Sequence, residues 1–221
     1  YSRLSEQNQI WVGMAKETAH QLGTPISSLM AWGVYFKEKY VEEPYIKELD
    51  KDVKRLEIIT QRFSSIGSAP KMESLNIYEQ VKSSVDYLKT RISKKVTINF
   101  TAQGAEYLSI NMNPELFSWV LENLIKNAVD AMAGVGHIQI SMFCSGVDKL
   151  MIDIEDQGNG IASNKMRTVF KPGFTTKNRG WGLGLTLTKR IIEDYHGGRI
   201  FIKNSALNKG TAFRIILNTN A

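Results

Sequence analysis

Two apolar seams, each stepping by alternating threes and fours, run through the first third of this chain and restrict it to helix. Leu22, Ile26, Leu29, Gly33, Phe36 and Tyr40 make the first; Ile46, Leu49, Val53, Leu56, Thr60 and Phe63 make the second. Such steps return every member to one stripe of an α-helix, the heptad pattern by which helices pack on one another. Val41-Glu42-Glu43-Pro44 interrupts the pattern, so the segment predicts an antiparallel helical hairpin. Two helices bury too little apolar surface to stand alone. The uncovered stripe therefore predicts a homodimer, an all-α four-helix bundle; a single coiled-coil linker is the competing reading. Pro25 lacks an N–H and is expected to bend the first helix.

Beyond Gly67-Ser68-Ala69-Pro70, which reads as a linker, the period changes. The expected division is a helical domain over 1–68, a linker over 69–74 and a second domain over 75–221. In that second part Ile77 to Ile92 predicts a helix, Val96 to Phe100 a strand, and Pro114 to Met132 a helix capped by Asn113. Strands are predicted at 137–144, 150–155, 199–204 and 211–217, with a helix near 183–195. Helices over one face of a mostly antiparallel sheet make an α/β sandwich.

The charge of +6 is spread along the chain without an Arg-rich block. It suits an anionic ligand such as a nucleotide, or an acidic partner, and gives no support to nucleic-acid binding. The single Cys144 rules out an internal disulfide framework and suits a reducing compartment. No apolar run reaches the ~18 residues of a membrane span. The chain starts inside a helical pattern, so this part is expected to be cytoplasmic, with a sensor domain or membrane spans upstream.

Against this frame three groups of residues carry chemistry. His20 lies in Ala19-His20-Gln21-Leu22-Gly23-Thr24-Pro25-Ile26, an imidazole on the outer face of a bundle helix and a candidate phosphoryl acceptor. On the helix from Pro114, Asn123 and Asn127 are four apart and share a face, where amide oxygens suit a hard cation such as Mg²⁺. Lys126 beside them is placed either to reach phosphates or to pair with Glu122 one turn earlier. Third come the glycine-rich runs. Asp156-Gln157-Gly158-Asn159-Gly160-Ile161 ends a strand, where a carboxylate can accept from an adenine amino group and glycines admit close approach. Phe170-Lys171-Pro172-Gly173-Phe174-Thr175-Thr176-Lys177 leads to Gly180-Trp181-Gly182-Leu183-Gly184-Leu185. Glycines opening a helix offer backbone N–H groups to phosphate, and Lys177 is placed to neutralise the terminal one. Residues 162–182 then read as a lid. Thr211, after Gly210, is placed to support the adenine contact. The order of glycines and acidic residues does not fit a Rossmann unit.

Taken in order, these blocks resemble the sensor histidine kinases of two-component signalling, over nearly the whole chain. His20 to Pro25 resembles that family's H box, Asn123 to Asn127 its N box, Asp156 to Gly160 its G1 box, Phe170 to Phe174 its F box and Gly180 to Gly184 its G2 box. The resemblance implies a Bergerat (GHKL) ATPase fold, ATP and Mg²⁺ as ligands, a homodimeric hairpin carrying the acceptor, and a response-regulator receiver domain as partner. It implies autophosphorylation of His20, then transfer to an aspartate of that regulator. Thr24 matches the position that helps water attack the regulator's phospho-aspartate, which implies phosphatase activity.

The chain departs from the family at three places. Gln21 stands where an acidic residue usually follows the acceptor, and an amide cannot take a proton at neutral pH. Gly23 stands where Arg is common, and Asp130 where many relatives carry a basic residue towards the phosphates. Two other readings share the fold: an ATP-hydrolysing Bergerat machine, and an ATP-binding dimeric scaffold that transfers nothing. The hydrolysing enzymes carry a glutamate base where this chain has Asn123, and Glu122 lies about 100° around the helix from it.

Blander roles are expected elsewhere. His137 reads as a surface turn residue opening a strand, and His196 as a cation or cap at a helix end. Trp32, Tyr35 and Phe36 read as bundle packing, while Lys16 and Ser27 are candidate receiver contacts.

Overall fold

The computed structural model describes residues 22–23, 25–40, 44–65, 70–146, 148–176 and 182–219. Two compact units, Tyr1–Pro70 and Lys71–Ala221, make up the chain.

In the first unit, residues 25–39 form α1 and Pro44–Ser65 form α2. Lys37 pairs with Asp50 at 2.7 Å, an ion pair between the two helices. The seams divide by depth. Ile26, Gly33 and Val53 are buried, with Ile46 and Thr60 half-buried, whereas Leu22, Leu29, Leu49 and Leu56 lie 40–46% exposed. Buried and exposed positions recur at seven-residue spacing through most of both seams, but not at the end of the first, where Phe36 is half-buried and Tyr40 exposed. Trp32 and Tyr35, expected in the packing, are about half exposed and meet edge to face at 5.9 Å. The expected bend at Pro25 turns on residue 24, which lies outside the described residues.

The second unit is built around a five-stranded sheet. Its strands are β2 (Val96–Gln103), β4 (Gly136–Cys144), β5 (Lys149–Asp156), β6 (Arg199–Ser205) and β7 (Thr211–Asn218), in the order β2-β4-β5-β7-β6. The β2–β4 pair is parallel and the others are antiparallel. Alternation sends Ile138, Ile140, Met142, Leu150, Ile152, Ile154, Phe213, Ile215 and Leu217 to one face, all buried. Against that face pack α3 (Ile77–Lys89), α4 (Pro114–Ala131) and α5 (Gly184–Arg190) with a π turn over Ile191–Tyr195. A two-stranded sheet of β1 (Glu73–Asn76) and β3 (Ser109–Met112), absent from the sequence reading, leads into the caps of α3 and α4. Four-residue strands lack enough alternation to be seen by pattern.

Local chemistry fixes where α4 lies. Asn113 Oδ1 accepts the Leu116 N–H at 2.9 Å and Pro114 occupies the first turn, where its missing donor costs nothing. At the other end Ala133 and Gly134 turn left-handed, and Gly134 N–H returns to the Val129 carbonyl at 2.9 Å. On the opposite sheet face Asp153, nearly fully buried, receives Arg214 through two bonds of 2.7 Å and Lys203 at 2.8 Å. Among the described residues no helix is long and apolar enough to cross a membrane.

Candidate functional site

The site forms where β5 runs out beside the end of α4. The alternation that buries Leu150, Ile152 and Ile154 carries Asp156 to the same face, past the edge of the core. Its carboxylate accepts the Gly158 N–H at 2.8 Å and a backbone bond from Thr211. Burial pushes its pKa above the ordinary carboxylate value, against the pull of those two N–H groups. A half-buried carboxylate of this kind has traded water for fixed donors and is suited to accept from a ligand amino group.

The glycines around it are required by contact. A Cβ on Gly158 would press within 2.7 Å of Ala131, the last residue of α4. Gly160 (φ +68°) and Gly210 (φ +80°) are left-handed, and side chains there would overlap the carbonyls of Ala206 and Asp156. Backbone bonds lace the two turns together: Gly210 N–H to Gly158 O at 2.9 Å, and Asn208 N–H to Asn159 O at 2.8 Å. Ser205 joins in, its hydroxyl accepting the Ile161 N–H at 2.7 Å, donating to Gly210 O and lying 2.9 Å from Thr211 Oγ1. A cavity of about 280 Å³ opens beside Asp156 and Thr211, with Asn204, Ser205 and Lys209 in its walls. Ser205 escaped the sequence reading because only the β6–β7 pairing brings it to the turn.

On α4, Asn123 and Asn127 are both half-buried. Asn123 Nδ2 donates to Thr188 Oγ1 at 2.8 Å, and its Oδ1 sits in the space that a Cβ on Gly184 would take. Asn123 therefore also ties α4 to α5. Lys126 pairs with Glu122 at 2.7 Å, the surface pair weighed above, and Asp130 is exposed one turn further on. Among the described residues no three His, Cys, Asp or Glu side chains converge on a metal position. The amide oxygens of Asn123 and Asn127 fit an ion that fills its shell with water and phosphate oxygens, as Mg²⁺ does.

The segment before α5 is fastened at both ends. Gly173 N–H donates to the Gly182 carbonyl at 3.1 Å, and Gly182, at φ +66°, has no room for a side chain against Gly173. Thr186 Oγ1 donates to the Phe170 carbonyl, while Phe170 meets Phe213 edge-on at 6.2 Å. Leu183 precedes α5 without a side-chain cap, and Leu185 packs on the core. Lys177, Gly180 and Trp181 lie outside the described residues, as do His20, Gln21 and Thr24. Ser27, a candidate receiver contact, turns its hydroxyl back to the Gly23 carbonyl at 2.8 Å.

Of the two roles expected of His196 the cap is found and the cation is not: it is the C-cap of the π turn and is buried, with Nδ1 2.7 Å from the Ile191 carbonyl and Nε2 accepting the Asn113 N–H at 3.1 Å. One ring nitrogen donating and the other accepting is the neutral imidazole, and burial holds its pKa below the ordinary value. His137 lies at the start of β4, as expected, but within the strand beside Gly136 and not in a turn, its Nδ1 2.8 Å from Thr97 Oγ1.

Residues 112–221 match the family model described as histidine kinase-, DNA gyrase B-, and HSP90-like ATPase. The sensor histidine kinase ZraS of Salmonella typhimurium is 32% identical over 211 residues, covering 92% of this chain and 45% of its own length. Sporulation kinase C of Bacillus subtilis is 27% identical, covering 98% and 51%. The chain thus spans about half the length of these curated relatives. Among solved structures, the catalytic domain of histidine kinase ThkA aligns with a TM-score of 0.60 at 28% identity, over 67% of this chain and 95% of that one. ThkA in complex with the response regulator protein TrrA aligns over 99% of this chain and 64% of that one, with a TM-score of 0.63 at 23% identity, a likeness of fold.

Proposed function

The chain belongs to the sensor histidine kinases, and from that premise we propose that it transfers the γ-phosphoryl group of ATP to His20 and then to an aspartate of a response regulator. The observation that carries the reading is the meeting, at one end of the sheet, of a half-buried Asp156, three sterically required glycines and the amide face of α4. Asp156 and Thr211 select the base; Asn123 and Asn127 face the phosphates and would hold Mg²⁺, which neutralises phosphate charge when bound. Gly182 and Gly184 keep the backbone open to the phosphates, Lys126 and Asp130 border them, and Lys177 is the cation assigned to the terminal phosphate on sequence grounds. A lone pair on a His20 ring nitrogen forms the N–P bond as the γ-phosphorus–oxygen bond to ADP breaks, and the ring proton leaves to solvent.

Gln21 sets the rate. Loss of a general base costs on the order of 10²–10⁴-fold where proton transfer limits the step. The proposal is therefore a slow kinase that keeps phosphatase activity through Thr24. Dimerisation of the first unit is part of the same reading, supported by the exposed line of Leu22, Leu29, Leu49 and Leu56.

Hydrolysis of ATP is the weaker reading, because Glu122, the nearest carboxylate on α4, is ion-paired with Lys126. Incubation with γ-labelled ATP and Mg²⁺, beside His20→Ala, separates the readings. Acid-labile label on the wild type alone is expected. Free phosphate without label identifies a hydrolase, and neither product identifies a scaffold. Gln21→Glu is expected to raise labelling; an unchanged or lower rate removes the base argument.

A further inference from the structure

Hydrogen bonds pin α4 against the α5 segment at two widely separated places. The first is Asn123 to Thr188 at 2.8 Å, with Gly184 closed against the same amide. The second is His196, just beyond the π turn that prolongs α5. Its Nδ1–H donates to the Ile191 carbonyl inside that turn, and its Nε2 accepts the backbone N–H of Asn113, the N-cap of α4. The ring also lies 6.0 Å from that of Phe117, one turn into α4. Asn113 is itself fixed: its Oδ1 caps α4 at Leu116 N–H and its Nδ2 donates to the Lys71 carbonyl at 2.9 Å. The ring supplies the acceptor for the buried Asn113 N–H. Burying an imidazole costs solvation, and the carbonyl of Ile191 already accepts the His196 backbone N–H.

We propose that His196 is a positioning residue for the nucleotide site, setting the register of the glycine-led α5 on the Asn123–Asn127 face of α4 from the far end of both helices. The inference rests on the reading of that face as the phosphate site. With the His196 pin in place, Asn113 and Ile191 are held in one register. α5 is then held so that Gly184 closes on Asn123. Without it, the constraint at the far end is lost, and the open backbone before Gly184 loses its fixed distance from the amides.

The test uses the whole chain and a fluorescent, non-hydrolysable ATP analogue with Mg²⁺, alongside urea unfolding. His196→Phe keeps the ring and removes the acceptor; His196→Gln restores an acceptor oxygen at the reach of Nε2. The expected result is analogue binding about tenfold weaker in His196→Phe and within about threefold of wild type in His196→Gln. Equal binding by His196→Phe and wild type overturns the proposal, as does His196→Gln binding as weakly as His196→Phe. If His196→Phe does not fold, amide NMR of the wild type decides. Coupling is reciprocal, so saturation with the analogue must slow hydrogen exchange at Asn113 more than at Ile98 in β2. Equal slowing at both overturns the proposal. A wild type that binds no analogue overturns the nucleotide reading itself.

Discussion

The two units solve the burial problem differently. The α/β unit closes its own core: α4 alone buries Leu116, Phe117, Val120, Leu121, Leu124 and Ile125 at 2% exposure or less. The helical unit covers Ile26 and Val53 but leaves Leu22, Leu29, Leu49 and Leu56, with Trp32 and Tyr35, largely open to water. A sheet with helices on one face makes a finished apolar interior, whereas two helices make only one line of contact. Completeness lets the α/β unit stand on its own core; incompleteness is what the proposed dimerisation of the helical unit would relieve.

Four measurements break or sharpen this contrast. Leu121→Ala is expected to cost the α/β unit about 4 kcal/mol in urea unfolding, at any protein concentration. Asp153→Asn is expected to cost about 3 kcal/mol, because Arg214 is left without its buried partner. Leu56→Ala, 44% exposed, is expected to change monomer stability by only about 0.5 kcal/mol while weakening self-association in sedimentation. A loss as large as that of Leu121→Ala, independent of concentration, would erase the distinction between the units.

The smallest effect is on pH. Burial lowers the His196 pKa in the folded state, against its bonds to Ile191 and Asn113. The unfolded chain therefore binds more protons, so this stabilisation is complete above about pH 6.5 and is lost as pH falls through the folded value. His196→Gln should lack that limb of the stability profile. Burial alone would raise Asp153, but Arg214 and Lys203 hold it below its ordinary 3.8, and its contribution is lost only in stronger acid. Asp156, raised by burial, acts with the opposite sign and favours the fold as pH falls towards 3.8.

Much of this was legible beforehand. The predicted α4 ran from Pro114 to Met132 with Asn113 as cap, and the helix found is Pro114–Ala131 with that cap bond made. The four strands from 137 to 217 shift by at most one residue at either end. Their alternation is long and their ends carry turn residues, so local pattern suffices. β1 and β3 are too short to show a period, and the depth of the seams cannot be read from spacing that treats Leu22 and Ile26 alike. The candidate site was legible only as residue types: Asp156, the glycines, Asn123 and Asn127. Their partners were not, since Ser205, Thr188 and Ala131 meet Ile161, Asn123 and Gly158 across 44, 65 and 27 positions of chain (205 − 161, 188 − 123, 158 − 131).

Periodicity, capping and glycine placement determined the elements of this protein and the chemistry it offers to a nucleotide, because these depend on neighbours within a turn or a strand. Three-dimensional packing decided what those elements do to one another. It made Gly210 obligatory by bringing it onto the Asp156 carbonyl, gave Asn123 a tie to α5, and buried the helix-end cap His196 as a neutral ring that reaches Asn113. Each of those outcomes depends on contacts between residues far apart in sequence, which no local pattern encodes.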